Sequence, residues 1–321
     1  RSRGRHRRKQ KKERGHFRWK AGLTLGPSGR YLVEGHLGDG TFGRVLACQD
    51  QKSGESVAVK VVKSDKHFCE HAQAEAEVLR DIQRLDLKRR SLAVELLDSF
   101  LESKNQYCLV FEQLGTSLRD FLKGNKSLGL CVQDVQSISK QLLQSLDALH
   151  SLGLTHTDLK CRNIMFRKSG HSVVPHPRVS NAETRRPHDC GIAVIDFGGA
   201  VFADERHGGR VGTRQFRGPE VVLGLEWDES SDIWSAGCII SMLYLGQRPI
   251  SVHENQEHLA MMERLMECEL PPWMIKKAQE LLACEDDEED EKPQGLSFTA
   301  DDRLAWPSGA SEEAVERVEA L

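Results

Sequence analysis

The amino-acid sequence predicts an α+β protein with two lobes, a small sheet-rich lobe and a larger, mostly helical lobe. Alternating and β-branched apolar runs are concentrated in residues 30–63, and helical periodicity dominates after residue 130. Strands that precede helices along a chain favour two packed lobes. We expect the lobes to meet at about residues 113–115, with a ligand site in the cleft between them.

The first part of the chain is expected to consist mainly of strands. The segments YLVEGHL, GRVLACQD and VAVKVV have strand-like spacing, and a glycine-rich turn and the hairpin segment KSGES join them. A helix is expected over residues 70–85. A second pair of strands is expected in the segments AVELLDSF and QYCLVFEQL.

The second part is expected to be mostly helical. Between residues 135 and 149, apolar residues recur at steps of three and four, which places one helix face in the core. The residues on this face are Val135, Ile138, Leu142, Leu146 and Leu149. Residues 167–190 have no clear period, and we expect a surface hairpin or loop there.

Charge is distributed unevenly along the chain. Residues 1–20 contain eleven Lys or Arg and one acid, whereas the whole chain has a net charge of -3, so the remainder is strongly acidic. We interpret residues 1–20 as a basic disordered tail, 21–114 as the small lobe and 115–321 as the larger lobe, with a solvated acidic loop at 285–291. Nuclear targeting and nucleic-acid contact are the other interpretations of the tail.

Cysteine spacing and hydropathy argue against several other classes of protein. The nine cysteines form no C-x-x-C pair, so neither a disulfide framework nor a structural zinc site is indicated. The longest apolar run, near residues 239–245, is far shorter than the roughly 20 residues of a membrane span, and no signal peptide is evident. We therefore expect a soluble intracellular monomer without membrane association.

Gly38, Gly40 and Gly43 form the pattern G-x-G-x-x-G. Alone this pattern is weak, because it also opens a helix in dinucleotide-binding folds. Here the glycines lie between two strand-like runs, and Val45 extends the pattern to G-x-G-x-x-G-x-V. This context favours a hairpin whose backbone N–H groups approach a triphosphate, and a tight turn without a ligand is the alternative.

Further motifs follow in a fixed order. Lys60 ends the segment V-A-V-K, from which a strand can direct its ammonium group into the cleft, and Glu75 on the next helix is its expected partner. The later motifs are HTDLKCRN at residues 156–163, Asp196-Phe197-Gly198, Gly218-Pro219-Glu220 and Asp232-Ile233-Trp234-Ser235. This series resembles the eukaryotic protein kinases from residue 31 to about residue 270.

A narrower resemblance is to the CDC-like, or LAMMER, kinases. Residues 257–264 read E-H-L-A-M-M-E-R, which is the name-giving signature of that family, and Thr157 is typical of its catalytic loop. The lead-in at residues 15–17, the insertion before Asp196 and the segment 110–115 also resemble this family. The signature is at the same time an amphipathic helix with Leu259 and Met262 directed inward.

The resemblance implies Mg²⁺ and ATP as cofactors and proteins as substrates. Asp158 would accept the proton of a substrate hydroxyl, and Lys160 would neutralise charge on the transferring phosphoryl group. Asn163 and Asp196 would hold Mg²⁺ through oxygen ligands.

The remaining implied site residues contact the nucleotide. Lys60, oriented by Glu75, would grip the α and β phosphates. The positions implied for adenine are Leu37, Val45, Ala58 and Met165 around the ring, the backbone of Glu112 and Leu114, and Phe111 at the rear of the pocket.

Two positions depart from the family pattern. Cys161 and Arg162 replace Pro and Glu, and neither position would touch phosphate. A glutamate there helps related kinases hold basic substrates, and Arg162 would repel arginine. The acidic body could still attract Arg/Ser-rich splicing factors, which are the expected substrates.

Two threonines bear on which residue type is phosphorylated and on how activity is regulated. Thr213 near the catalytic aspartate favours Ser or Thr acceptors, with tyrosine autophosphorylation by family analogy. Because Thr157 stands in place of an arginine that would bind an activation-loop phosphate, we predict constitutive activity.

The end of the chain lacks a D-P-x-x-R pattern. We therefore expect the larger lobe to be incomplete at its C-terminus and Glu220 to lack its arginine partner. The leading function is a Mg-ATP-dependent Ser/Thr kinase located in the nucleus, with the cytoplasm as the alternative location. The alternatives are a kinase-like binding module, such as a pseudokinase or scaffold, and a protein that binds nucleic acid through its tail.

Overall fold

The computed structural model describes residues 17–40, 42–102, 106–205, 209–283 and 295–305. These residues form an α+β fold, as predicted, in which strands predominate up to residue 112 and helices predominate after it. The acidic run at 285–291 and most of the basic tail lie outside the described residues, so both remain predictions, as do the exact lobe boundaries.

The first part of the chain is an antiparallel sheet of six strands in the order β1-β2-β3-β4-β6-β5. The strands are β1 (Thr24–Leu25), β2 (Tyr31–Asp39), β3 (Gly43–Asp50), β4 (Ser56–Val62), β5 (Leu96–Glu102) and β6 (Gln106–Glu112). Side chains alternate between the two faces of a strand. Val57, Val59 and Val61 accordingly pack in one cluster, whereas Ala58 and Val62 pack in another, which spans both lobes.

Helix α1 (Lys66–Leu85) covers one face of this sheet. It begins four residues before the predicted start at residue 70, because Asp65 caps it by accepting a hydrogen bond from the His67 N–H at 3.0 Å. Its inward side chains are Ala72, Glu75, Ala76, Leu79 and Ile82. Glu75 is thus a carboxylate on an otherwise apolar face.

Strand β5 starts at Leu96, later than the predicted segment that begins at Ala93. The preceding residues instead join the two lobes, because the Val94 N–H donates to Val194 O at 2.9 Å and the Val194 N–H donates to Leu92 O at 2.9 Å. The sequence pattern did not distinguish this connection from a continuous strand.

The second part of the chain contains six helices within the described residues. They are α2 (Leu118–Gly124), α3 (Val132–Ser151), α4 (Pro219–Val222), α5 (Ser230–Leu245), α6 (Asn255–Met266) and α7 (Pro272–Ala283). The predicted apolar stripe of α3 is buried, and α3 packs against α5. Leu259 and Met262 of the E-H-L-A-M-M-E-R segment, on α6, are also buried, as predicted.

Short strand pairs frame the loops of the second part. They are β7 (Leu154–Thr155) with β12 (Val201–Phe202), β8 (Ile164–Phe166) with β11 (Ile192–Val194), and β9 (His171–Pro175) with β10 (Glu183–Pro187). The predicted surface hairpin is therefore the β9–β10 pair, and Asn125 anchors it through hydrogen bonds to Thr184 and Arg185. Among the described helices, none has the length and apolar content to cross a bilayer.

Candidate active site

Asp232 of α5 anchors the loop that follows β7. This carboxylate is 1% exposed and accepts hydrogen bonds from the backbone N–H groups of His156 at 2.7 Å and Thr157 at 3.0 Å. The His150 ring lies 3.2 Å from it. Both carboxylate oxygens are thus engaged, which fixes the start of the segment that carries Asp158.

The Asp158 carboxylate lies between a cation and a hydroxyl group. Lys160 Nζ donates to Oδ2 at 2.5 Å, and Thr213 Oγ1 donates to Oδ1 at 2.7 Å. Lys160 also contacts the Thr213 hydroxyl at 3.1 Å. The Thr213 hydroxyl therefore occupies a position in which an incoming alcohol could also hydrogen-bond to this carboxylate.

Asn163 connects Asp158 to the segment that contains Asp196. Its side-chain Nδ2 donates to the backbone O of Asp158 at 3.0 Å, and its own backbone O accepts from the Ile195 N–H at 2.9 Å. Two residues of this region have left-handed backbone conformations, Thr157 with φ 70° and Asp196 with φ 72°. Such outliers tend to occur where the surrounding structure positions functional side chains.

Lys60 meets Glu75 across the space between β4 and α1. Its Nζ lies 2.7 Å from Glu75 Oε2 and 3.9 Å from Asp196 Oδ1. Burial opposes the charged form of Lys60, but the two carboxylates outweigh it and raise its pKa above the ordinary value. Lys60 is therefore a fixed cation at the edge of the site.

The protein oxygen atoms around Asp196 fit a hard divalent cation only if a bound ligand supplies further oxygen atoms. Asp196 is partly exposed, and Asn163 directs its amide nitrogen toward Asp158, which leaves its oxygen for another partner. The described residues contain no group of three or more His, Cys, Asp or Glu side chains arranged to hold a metal. Mg²⁺ is commonly held by one or two protein oxygens together with phosphate oxygens and water.

The three glycines at the turn from β2 to β3, namely Gly38, Gly40 and Gly43, serve different purposes. A Cβ atom on Gly43 would lie 2.3 Å from Val61 O and 2.9 Å from Val62 Cα, so this glycine is needed for packing against β4. A Cβ on Gly38 would meet nothing within 4 Å, and one on Gly40 would meet only Gly43 O at 3.8 Å. The space beside Gly38 and Gly40 is open, which fits the close approach of a phosphate.

Alanine substitutions separate these two requirements. Gly43→Ala should lower the free energy of unfolding by about 1–3 kcal/mol, because the added methyl group overlaps the backbone of β4. Gly38→Ala should leave stability nearly unchanged and weaken nucleotide binding. Thermal unfolding and titration with a fluorescent ATP analogue measure the two effects, and equal stability of both variants would contradict this assignment.

The residues predicted to surround adenine lie on five strands and the segment after β6. Strand pairing places Ala58 opposite Phe111 and Val45 opposite Lys60. The predicted adenine positions divide by exposure: Ala58 and Phe111 are buried, Val45, Glu112, Leu114 and Met165 are half-buried, and Leu37 is 49% exposed. The Glu112 side chain is engaged with Arg167 at 3.1 Å, so only its backbone is available to a ligand.

Glu220 has no counterion in the part of the chain that the structure describes. Its Oε1 atom is buried and has no hydrogen-bond partner among the described residues, as the sequence predicted. Burial raises the pKa of Glu220, and the negative charge of Asp228 adds to this effect.

This environment predicts that Glu220→Gln stabilises the protein at neutral pH. Because the pKa of the folded state is raised, ionisation of Glu220 costs stability as the pH rises through that pKa. The gain should be about 1–3 kcal/mol at neutral pH and should shrink toward acidic pH, where the native carboxyl is protonated. Urea unfolding across pH tests this, with the exposed Glu226→Gln as control; a gain independent of pH would contradict it.

The structure also assigns contributions that the sequence did not reveal. The motif containing Asp232 was recognised, but its side-chain hydrogen bonds to the loop were not predicted. His156 packs against Phe197 with ring centroids 4.9 Å apart and ring planes tilted by 55°, and it contacts Ile195 O at 3.1 Å, so it joins the two loops of the site. Only the tertiary contacts identify these roles.

Comparisons with known proteins agree with this geometry. Residues 31–303 match the family model described as "Protein kinase domain". The dual specificity protein kinase CLK1 of Mus musculus is 41% identical over 268 residues, which cover 83% of this chain and 54% of that protein. The serine/threonine-protein kinase AFC3 of Arabidopsis thaliana is 38% identical over 312 residues, which cover 96% of this chain and 74% of that protein.

A solved structure shows the same fold. The crystal structure of a kinase domain superposes with a TM-score of 0.84 at 36% identity and covers 95% of this chain and 87% of the other chain. The chain spans about half the length of the mouse relative. The chain belongs to the protein kinase family, and its relatives place it with the CDC-like dual-specificity kinases.

Proposed function

We propose that this chain is a Mg²⁺- and ATP-dependent kinase that phosphorylates Ser and Thr residues of proteins. The observation that carries this proposal is the linked cluster of Asp158, Asn163 and Asp196, with the Lys60–Glu75 pair at its edge. This arrangement combines a carboxylate next to a hydroxyl, oxygen ligands for a cation, and a fixed ammonium group for phosphate.

The residues around Asp158 would prepare the acceptor. Asp158 already accepts a hydrogen bond from the Thr213 hydroxyl, and a substrate hydroxyl in the same region could transfer its proton to this carboxylate. Lys160, which contacts both groups, would offset negative charge that develops between them.

The residues around Asp196 would orient the donor. Mg-ATP, when bound, would supply the phosphoryl group and a positive charge that offsets the negative charge of the phosphates. Asp196 and the oxygen of Asn163 would hold the cation, and Lys60 would hold phosphate oxygens. Glu75 keeps Lys60 in place through the 2.7 Å contact, so the ammonium is positioned before the nucleotide arrives.

Two finer parts of the proposal concern substrates and location. Arg/Ser-rich proteins are proposed as one substrate class, supported by the resemblance and by the strongly acidic charge of the chain after residue 20.

Nuclear location is proposed on the basis of the Lys/Arg-rich segment 1–20, which could also contact nucleic acid. A reporter protein fused to residues 1–20 should accumulate in the nucleus, and uniform distribution would reject this role.

Transfer of labelled phosphate to a mixture of Ser- and Thr-containing peptides tests the enzyme. The chain should be active with Mg²⁺ and ATP, inactive after chelation of divalent cations, and inactive as Asp196→Ala. Nucleotide binding without transfer by the unmodified chain would favour the alternative, a kinase-like binding module. Equal transfer by the chain and by Asp196→Ala would show that another enzyme causes the signal.

A further inference from the structure

Three arginines lie together beside the loop that carries Asp158. Arg162 is in that loop, four residues after Asp158, and its side chain is exposed. Arg119 is in the first turn of α2, where its backbone N–H donates to Cys161 O at 3.0 Å. Arg248 follows α5, whose Met242 contacts the Cys161 sulfur at 3.6 Å. Cys161 is therefore the point at which the three segments meet.

The three guanidinium groups are close enough to affect one another. Burial lowers the pKa of Arg248, and the charges of Arg119 and Arg162 lower it further. Arg119 and Arg248 also act on the Cys161 thiol, although burial of this thiol has the larger effect and raises its pKa to about 12. The cluster is thus a concentration of like charge, defined by Arg119, Arg162 and Arg248.

No counterion for this cluster is present among the residues that the structure describes. None of the three side chains forms an ion pair or a hydrogen bond there, whereas most other partly buried charges of the site are paired, as Lys60 is with Glu75. The neighbouring Asp120 accepts a hydrogen bond from Ser117 instead. Like charges that are gathered without an anion are unfavourable unless a ligand supplies one.

We propose that Arg119, Arg162 and Arg248 bind an anionic side chain of the protein substrate, a carboxylate or a phosphate, at a position flanking the phosphorylated Ser or Thr. This inference rests on the proposed kinase function. Arginine suits the task because its planar donor groups pair with both carboxylate and phosphate oxygens. Arg162 is exposed and lies in the same loop as Asp158, so a residue that flanks a hydroxyl held at Asp158 would reach the arginine cluster.

The inference changes the expected sequence preference. Arginine at the flanking position that contacts the cluster should be disfavoured, because it would meet three positive charges where related kinases were expected to carry a glutamate. Within an Arg/Ser-rich substrate, the preferred acceptors would therefore be those that carry another residue at that position. Acidic residues or phosphoserine should be favoured in the same place. The acidic charge of the rest of the chain acts at longer range and is screened by salt, whereas this cluster acts at contact distance.

Peptides that differ only in the residues flanking one acceptor serine test the preference. Aspartate, phosphoserine, alanine and arginine are placed in turn at each flanking position, and kcat/KM is measured for the full chain and for its variants. The ratio of aspartate peptide to alanine peptide should be about tenfold at its best position in low salt, and it should fall toward one as salt increases. The phosphoserine arm shows whether phosphate is preferred over carboxylate.

Charge reversal identifies the residues responsible. Arg162→Glu should invert the ratio in favour of the arginine peptide, Arg162→Gln and Arg119→Gln should each bring it close to one, and Arg162→Lys should retain part of it. Lys140→Glu makes the same change of charge at an exposed position of α3 and should leave the ratio unchanged. Thermal unfolding of each variant separates a change of preference from loss of fold.

The outcomes separate this inference from the proposed function. If Asp158→Asn transfers phosphate as well as the unmodified chain does, the kinase proposal fails and this inference fails with it. Two other results would overturn the anion site alone, provided that transfer requires Asp158. The first is a ratio of aspartate peptide to alanine peptide that does not change when Arg162 is substituted. The second is a higher kcat/KM of the unmodified chain for the arginine peptide than for the others.

Discussion

Asp158→Asn should reduce phosphate transfer to a Ser-containing peptide by about 10²–10⁴-fold while leaving the fold intact. An amide cannot accept a proton as the carboxylate does. It would also have to present an NH₂ group either to the Lys160 ammonium or to the Thr213 hydroxyl, each of which now donates to an oxygen. Loss of the general base and disturbance of its two contacts should both lower the rate of phosphate transfer.

The measurement combines transfer rate, nucleotide affinity and unfolding. Nucleotide affinity of Asp158→Asn should stay close to that of the unmodified chain, because among the described residues no hydrogen bond or ion pair joins Asp158 to Lys60, Glu75 or the glycine segment. The exposed Asp81→Asn serves as the matched control. A reduced rate that still exceeds about a tenth of the original would show that another group accepts the proton, whereas an unchanged rate would reject the kinase proposal.

Asp232→Ala should lower the free energy of unfolding by about 3–5 kcal/mol, the largest stability effect expected for a single substitution in the site. The change removes the acceptor for the backbone N–H groups of His156 and Thr157, both of which are buried. It also removes the anion beside His150. The loop would lose its anchor, so phosphate transfer should fall as well.

Chemical unfolding of Asp232→Ala, Asp232→Asn and Asp147→Ala measures this effect. Asparagine retains one acceptor oxygen and should be intermediate. Asp147 is 67% exposed and forms a surface ion pair with Arg90 at 2.7 Å, so its removal should cost no more than about 1 kcal/mol. A similar small loss for Asp232→Ala would mean that water or a shifted loop replaces the carboxylate.

Sequence reasoning recovered the parts of the fold that depend on local periodicity. The stripe of α3 and the β-branched alternation of β4 each place residues on a defined face, because helices and strands have fixed repeats. The positions of Lys60 and Glu75 follow from the same rule, since strand alternation and the inward face of α1 direct both side chains to one space. The start of α1 was misplaced because its cap, Asp65, lies outside the apolar pattern.

Contacts between distant segments could not be predicted in this way. Arg119, Arg162 and Arg248 are separated by more than forty residues at each step, and nothing in their local sequence indicates that they meet at Cys161. The role of Asp232 as an anchor could not be predicted for the same reason. Gly43 and Gly38 looked equivalent in the motif, and only the backbone of β4 shows that they serve different purposes.

The Phe111 ring near the end of β6 limits how far a compound that competes with ATP can extend. Phe111 is only 9% exposed, and it lies opposite Ala58 and belongs to the core that joins both lobes. A compound that competes with ATP cannot extend past this ring without displacing core side chains. Selective compounds for this chain would therefore have to grow outward, away from this ring.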